Sequence, residues 1–181
     1  MMHRILPGGI VAIVLGLASA MAAAETYMLV PGVTGDSVAK GHEGWIRISR
    51  IDWAVEAATS WTSGGGASVG KPNPGRIAVK LATGPWSTAF LRAITTGTTL
   101  DKAGAPIFMD HVAADGRLLV RMKLEGLFAV KYALASASAE LPQDQLEGVF
   151  KTVRLEFYYG GSDAKLAPTA LDWDIPAGKV N

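Results

Sequence analysis

The stretch between residues 35 and 49 changes abruptly from a loop to a strand. Its first ten residues include Gly35, Gly41 and Gly44, together with short polar side chains. The next five, from Trp45 to Ser49, are mostly aromatic or β-branched. Glycine and small polar residues favour turns, whereas tryptophan and isoleucine favour strands. The chain must therefore leave a turn and join a sheet near Trp45, which indicates a fold built mainly from strands.

Alternating apolar and polar residues predict strands in much of the remaining chain. Ile77, Val79 and Leu81 share one face of such a segment, as expected for a half-buried strand. Near Ser49 the apolar residues shift from even to odd positions, which predicts a bulge or a bend. Gly126 predicts a second bend. The predicted strands are residues 27–30, 45–61, 76–81, 107–113, 149–159 and 171–175, and residues 117–135 are predicted to be one long strand or a bent pair.

One segment, residues 85–96, has the spacing of a helix. Pro85 suits the first helical position, and Gly97 suits the residue that ends a helix. The apolar residues between them fall on one face, namely Trp86, Ala89, Phe90, Ala93 and Ile94. A helix this short must pack on a sheet to be stable. The predicted fold class is mainly β: a small antiparallel β-barrel of two packed sheets with one α-helix.

The first 24 residues predict an export signal. A short start containing Arg4 precedes an apolar run that ends at Met21, and Ala22 and Ala24 fit a cleavage site. Residues 1–24 are thus expected to be a signal peptide, with an uncleaved anchor as the alternative. Residues 25–181 are expected to form a single domain. The expected location is the periplasm of a Gram-negative bacterium or the outside of the cell, with no stable membrane insertion after cleavage.

Charge and cysteine content exclude several classes of function. The chain has 17 basic and 16 acidic residues, and loss of Arg4 with the leader would leave 16 of each. A neutral surface has no long-range field that attracts nucleic acid, so no nucleic-acid partner is expected. The absence of cysteine excludes thiol catalysis, cysteine-ligated zinc and iron–sulfur clusters.

A glycine-rich segment comes close to a phosphate-binding loop but lacks an essential part. Gly65 and Gly70-Lys71 have the spacing of that motif. The next residue, however, is Pro72 instead of the Ser or Thr that would hold magnesium, and a strand follows instead of a helix. The segment is therefore predicted to be a hairpin loop that binds no nucleotide.

The histidines are also predicted to be non-catalytic. His42-Glu43 lacks the second histidine of a zinc-protease helix, so His42 is expected to be a loop residue held by hydrogen bonds. Asp110-His111 could be imagined as a hydrolase triad with Ser37 or Ser87. Neighbouring strand residues point to opposite faces, however, so Asp110 should not orient His111, and both are expected to face solvent. No catalytic residue, cofactor or metal is predicted.

Two further groups of side chains can be interpreted as either structural or functional. Asp172 and Asp174 could hold calcium or act as a carboxylate pair, but they are expected to be a solvated face with Trp173 as the inward anchor. Large aromatic residues are expected to lie in the core or, if exposed, at a subunit interface. These residues are Trp45, Trp53, Trp61, Tyr158 and Tyr159.

The order of these segments resembles the Hcp family, whose members form the tube of the bacterial type VI secretion machine. A short strand at 27–30, a Gly-acid-Ser turn and a His-Glu loop before a tryptophan-containing strand are similar to the opening of that family. The glycine-rich segment, the helix ending at Gly97 and the Asp-Trp-Asp-Ile segment at 172–175 follow in the same order. The loop residues that carry the resemblance are Gly35, Asp36, Ser37, His42, Glu43, Gly44 and Trp45.

The resemblance implies a non-enzymatic structural protein that assembles as a ring of six copies. Stacked rings would form a tube whose lumen carries small secreted effectors. The glycine-rich segment would touch a neighbouring ring, through Gly64, Gly65, Gly66, Gly70 and Lys71. The leader departs from the family, whose tube-forming members look leaderless. A second interpretation stays open, in which the chain is a monomeric periplasmic β-barrel that binds a small apolar ligand.

Overall fold

The computed structural model describes residues 23–62, 65–102, 104–137, 141–158 and 167–181, which contain twelve strands and one helix. Helix α1 is Ser87–Thr96. The strands are β1 Glu25–Leu29, β2 Ile46–Asp52, β3 Val55–Thr62, β4 Gly66–Pro74, β5 Ile77–Ala82, β6 Ile107–Val112, β7 Leu118–Glu125, β8 Phe128–Ala135, β9 Gln143–Val149, β10 Thr152–Phe157, β11 Thr169–Asp174 and β12 Lys179–Val180.

Ten of these strands form one antiparallel sheet, and β3 and β4 form a second, two-stranded sheet. The order across the large sheet is β12-β11-β10-β7-β6-β1-β2-β5-β9-β8, so the first strand lies near its middle. The predicted mainly-β antiparallel fold with two sheets and one helix is confirmed. The second sheet is a short hairpin, because β3 and β4 pair only with each other.

A single apolar cluster joins the large sheet to α1. Ile77, Val79 and Leu81 alternate inward from β5, as their spacing predicts, and Phe90 projects from α1 with no exposed surface. The helix buries the predicted apolar face and ends at Gly97, whose φ of 63° is left-handed. It begins at Ser87, two residues later than predicted. The other fully buried members of the cluster include Met28, Ile46, Ile107 and Leu124.

The predicted strand at residues 45–61 is two strands. It stops at Trp53-Ala54, and the chain leaves the large sheet to begin β3. The predicted irregularity is also present, since the β2–β5 register shifts between Ile48 and Arg50. The predicted strand at 117–135 is a bent pair, β7 and β8, separated at Gly126. No helix in the described residues is long and apolar enough to cross a bilayer, and nearly all of the predicted leader (residues 1–22) lies outside them.

Replacing the buried helix residue should destabilise the protein far more than replacing its neighbour. Phe90→Ala removes a ring that is fully buried between α1 and the sheet, and we expect a loss of about 3–5 kcal/mol of unfolding free energy. Leu91→Ala is the matched control, because Leu91 is 43% exposed and should change stability by less than about 0.5 kcal/mol. Urea unfolding followed by circular dichroism measures both; similar losses would contradict this account of the core.

Candidate functional site

Residues 35–45, called here the signature loop, fold back on themselves before β2. The N–H groups of Gly35 and Ser37 donate to the carbonyl oxygens of Gly44 and Trp45, at 2.7 and 2.9 Å. A Cβ atom on Gly35 would lie only 2.1 Å from the Trp45 oxygen, so no other residue fits there. The seven residues that carry the family resemblance are thus brought together in one compact loop. Their role remains a prediction.

Polar side chains fix the shape of the signature loop. The Asp36 carboxylate accepts the N–H of Arg47 at 3.3 Å, and the hydroxyl of the buried Ser37 accepts the N–H of Ala39 at 3.2 Å. Glu43 accepts the N–H of Gly41 at 2.9 Å. The bonds to Ala39 and Gly41 satisfy backbone donors within the turn, and the bond to Arg47 ties the loop to the start of β2.

Under the loop lies a polar cluster in which Arg121, 34% exposed, and His42, 13% exposed, surround the buried Asp110 carboxylate. Arg121 donates two hydrogen bonds to the Asp110 carboxylate, from Nε at 2.8 Å and from Nη2 at 2.6 Å. His42 Nε2 lies 3.0 Å from Asp110 Oδ2. The Asp110 side chain has no exposed surface. The hydrogen bonds to Asp110 raise the pKa of the Arg121 guanidinium above its ordinary value.

Strand register explains why these residues meet. Asp110 of β6 is directly opposite Tyr27 of β1 on one side and Arg121 of β7 on the other. Residues in register across adjacent strands project from the same face. This face is opposite to the core, and the signature loop covers it. The prediction that Asp110 faces solvent is therefore wrong, because a loop covers that face of the strand.

Aromatic rings hold His42 against the sheet. Its ring stacks on that of Tyr27 with centroids 4.6 Å apart, and meets the edge of Trp45 at 4.8 Å. Tyr27 is 2% exposed. Burial, helped by the hydrogen bond of its hydroxyl to Glu25, raises the pKa of Tyr27 to about 12. His42 is held by hydrogen bonds as predicted, and its partner is a buried carboxylate.

The imagined triad is not brought together. Asp110 binds His42, whereas His111 Nδ1 lies 2.9 Å from the hydroxyl of Thr26. Ser87 is bound elsewhere, to Asp144. Within the described residues no group of three or more His, Asp or Glu side chains could hold a metal ion. The cluster under the loop can fix a conformation.

A second buried carboxylate, Asp144, was not recognised in the sequence. Its oxygens accept hydrogen bonds from Thr83 at 2.7 Å, Ser87 at 2.5 Å and Tyr132 at 2.8 Å. Asp144 is 1% exposed. Burial, and then the bond to Asp144, raise the pKa of Tyr132. These bonds tie the start of α1 to β8 and β9. A lone aspartate between two glutamines gives no sign of this in the sequence.

The glycine-rich segment predicted as a loop forms β4, and β3 and β4 together are called here the arm. Every residue of β4 except Pro74 is exposed. Pro72 and Pro74 are tolerated because β4 has no partner on its outer edge. Gly70 allows a close backbone approach, since a Cβ there would lie 3.3 Å from the Ala58 oxygen. Gly65 and Gly66 stand at its turn, and Lys71 lies within β4; Gly64 lies outside the described residues.

An apolar groove of about 330 Å³ lies at the base of the arm. Trp53, Val55 and Pro72 line it from the side of the arm. The last strands of the large sheet contribute Leu155, Leu171, Trp173 and Val180. Trp173 is buried as the predicted anchor, and Asp172 and Asp174 lie on the other face of β11. Leu171 and Val180, at 38% and 55% exposed, leave the groove open to solvent.

Removing the charge of Asp110 should destabilise the protein strongly. Asp110→Asn leaves the Arg121 guanidinium without its anion under the loop, and we expect a loss of about 3 kcal/mol of unfolding free energy. Asp115→Asn is the matched control, because the Asp115–Arg117 pair is exposed and should contribute little. Urea unfolding at pH 7 compares the two variants. Equal stabilities would show that the cluster does not hold the loop.

Comparison with known proteins agrees with this architecture. The family model described as "Type VI secretion system effector, Hcp" matches residues 27–158. No curated protein sequence matches the chain. A solved type six secretion system protein superposes with a TM-score of 0.78 at 18% identity, covering 88% of this chain and 100% of that chain.

Two further solved structures have the same fold. Hcp1 from Salmonella typhimurium superposes with a TM-score of 0.72 at 14% identity, covering 88% of this chain and 99% of its own. A type VI secretion system effector from Yersinia pestis gives 0.67 at 12% identity, covering 83% and 99%. The structures show the fold, and the family model spans most of the described sheet. The chain therefore belongs to the Hcp family of type VI secretion system proteins.

Proposed function

We propose that this chain is a non-catalytic structural protein that assembles head to tail into closed rings of six copies. The observation that carries the proposal is the arm, whose strands have open outer edges and pair with no other part of the described chain. A strand edge without a partner is a template for pairing with another chain. Membership of the Hcp family supports the ring, and its count of six copies rests on that resemblance.

Export and cargo are further parts of the proposal. Residues 1–24 direct the chain out of the cytoplasm as a cleaved signal peptide, and residues 25–181 act as one domain in the periplasm or outside the cell. The ring lumen carries small secreted effectors. Nucleic acid is not a partner, because the chain without residues 1–24 has equal numbers of basic and acidic residues. The processed chain does not insert stably into a membrane.

The alternative function, binding of a small apolar ligand inside the fold, finds little support in the core. An enclosed space between Ile77, Met109, Leu127 and Leu146 measures about 10 Å³. A single water molecule needs about that volume. The apolar groove at the base of the arm is larger, but it opens outward, where another protein surface covers it more readily than a small ligand.

Light scattering of the purified protein separates the two functions. A ring should have a mass about six times that of one processed chain, since heterologous contacts close only at a fixed copy number. A monomer with a co-purified apolar ligand would instead support the alternative. Measurement across a range of protein concentrations distinguishes a closed ring from open-ended association.

Shortening the arm should weaken contacts between rings and leave the fold intact. Deleting residues 64–70 removes the tip of the arm, which lies outside the core cluster. We expect the same thermal midpoint and fewer stacked rings in electron micrographs. Two exposed valines give a finer comparison: Val69→Ser on the arm should weaken stacking, and Val38→Ser in the signature loop should not. Unchanged stacking in both arm variants would count against a role for the arm.

A further inference from the structure

A basic pocket lies beside α1, on residues that the proposed function leaves unused. It has a volume of about 290 Å³ and lies between α1, the loop after β1 and the segment that follows the helix. Among the residues that the structure describes, Arg92 and Lys102 are the only charged ones that line it. A pocket with two cations and no carboxylate favours an anionic group.

Neither cation is neutralised within the described part of the chain. The other six described arginines each have a carboxylate within 4 Å, and Arg92 has none: Arg47, Arg50, Arg76, Arg117, Arg121 and Arg154 are paired. Asp101, the acid next to Lys102, turns away from it. Its two oxygens accept the N–H groups of Gly126 and Leu127, at 3.1 and 2.9 Å.

The exposed Lys102 side chain lines this pocket and brings its ammonium close to the backbone at Gly32. A Cβ atom on Gly32 would lie 2.2 Å from Lys102 Nζ, so the ammonium occupies the space that a side chain would fill. Gly32 and Arg92 both line the same pocket. Two like charges repel each other, and an anion between them would remove that cost.

The complementary charge is on the arm. Glu56 of β3 is the one carboxylate in the described residues with neither a hydrogen bond nor a cation within 4 Å; the others are bound by side chains or backbone N–H groups. Lys71, on the other strand of the arm, does not pair with it. Strand alternation places Glu56 on the face opposite Val55, which lines the apolar groove. Glu56 is exposed and available to another molecule.

We propose that the basic pocket of one copy binds Glu56 on the arm of a second copy. Arg92 offers a planar pair of donors to the carboxylate, and Lys102 adds a second positive charge. This contact joins two different surfaces of the same chain, which is the head-to-tail geometry that a ring requires. The inference rests on the proposed assembly and specifies one of its contacts.

Charge reversal tests the contact in the full protein. Glu56→Lys, and separately Arg92→Glu with Lys102→Glu, should each weaken association by about tenfold, because each places like charges together. Combining all three changes in one chain should recover association. Lys80→Glu is the matched control, since Lys80 is exposed, forms no ion pair with a described residue and does not line the pocket. Sedimentation velocity measures association, and circular dichroism checks that every variant folds.

Mixing the two defective variants gives a sharper result. The chain with the altered pocket keeps an intact arm, and the Glu56→Lys chain keeps an intact pocket. In the mixture both kinds of contact are attractive, because the intact arm meets the intact pocket and the reversed arm meets the reversed pocket. The mixture should therefore recover association in assemblies that alternate the two chains, where each variant alone associates weakly.

Other outcomes overturn the inference in distinct ways. Charge-reversed variants that associate like the unaltered protein would exclude the contact. If inorganic phosphate raises the thermal midpoint of the unaltered protein but not of the pocket variant, and Glu56→Lys still assembles, the pocket binds a small anion instead. A protein that is monomeric without any substitution would contradict the proposed function itself.

Discussion

The Asp110 carboxylate holds together the strands and the loop on the outer face of the sheet. It receives two hydrogen bonds from Arg121 and a third contact from His42. Through these it joins β6 to β7 in register and attaches the signature loop to the outer face of the strands. A buried carboxylate is tolerable only when its charge is offset and its oxygens are bonded. Both conditions are met, so the loop has one favoured position.

Asp144 has a comparable role elsewhere in the fold. It accepts hydrogen bonds from three hydroxyl groups, which belong to the start of α1, to the segment before α1 and to β8. Within the described residues, no buried side-chain nitrogen or oxygen lacks a hydrogen-bond partner. Apolar packing energy depends little on the direction in which side chains approach each other, whereas these two carboxylates need hydrogen-bond donors at particular positions. They therefore specify how the helix and the loop sit on a sheet that apolar packing alone would orient loosely.

Local patterns were sufficient to predict much of this fold. The alternation in β5, the apolar face of α1 with Gly97 at its end, and the irregularity beside Ser49 all depend on neighbours in the sequence. The family resemblance rested on the same local features. The signature loop could be recognised as a unit because its glycines and polar residues are contiguous.

What could not be predicted depends on distant partners. Asp110 and Arg121 meet because β6 and β7 pair in one register, but the alternating pattern does not show that a loop 68 residues away covers their outward face and brings His42 to Asp110. β9 was missed because glutamine and aspartate interrupt its apolar residues. β4 was taken for a loop because glycine and proline usually break strands, and an arm with an open edge tolerates both. The sequence also does not show that Arg92 and Glu56 lack an oppositely charged partner within the described residues, because pairing depends on how the strands and the helix are placed.

The position of β1 has a consequence for how the protein acquires its structure. This strand comes first in the chain yet lies between β2 and β6. When the polypeptide emerges with its amino end leading, as in synthesis or transport, β1 must wait for a partner that begins some 80 residues later, at Ile107. Pairing across such a separation is slow, because closing a long loop costs chain entropy before the strand-strand contacts form. The edge of β1 that pairs with β6 therefore stays exposed until more than half of the polypeptide has appeared. During that interval the edge can pair with another chain.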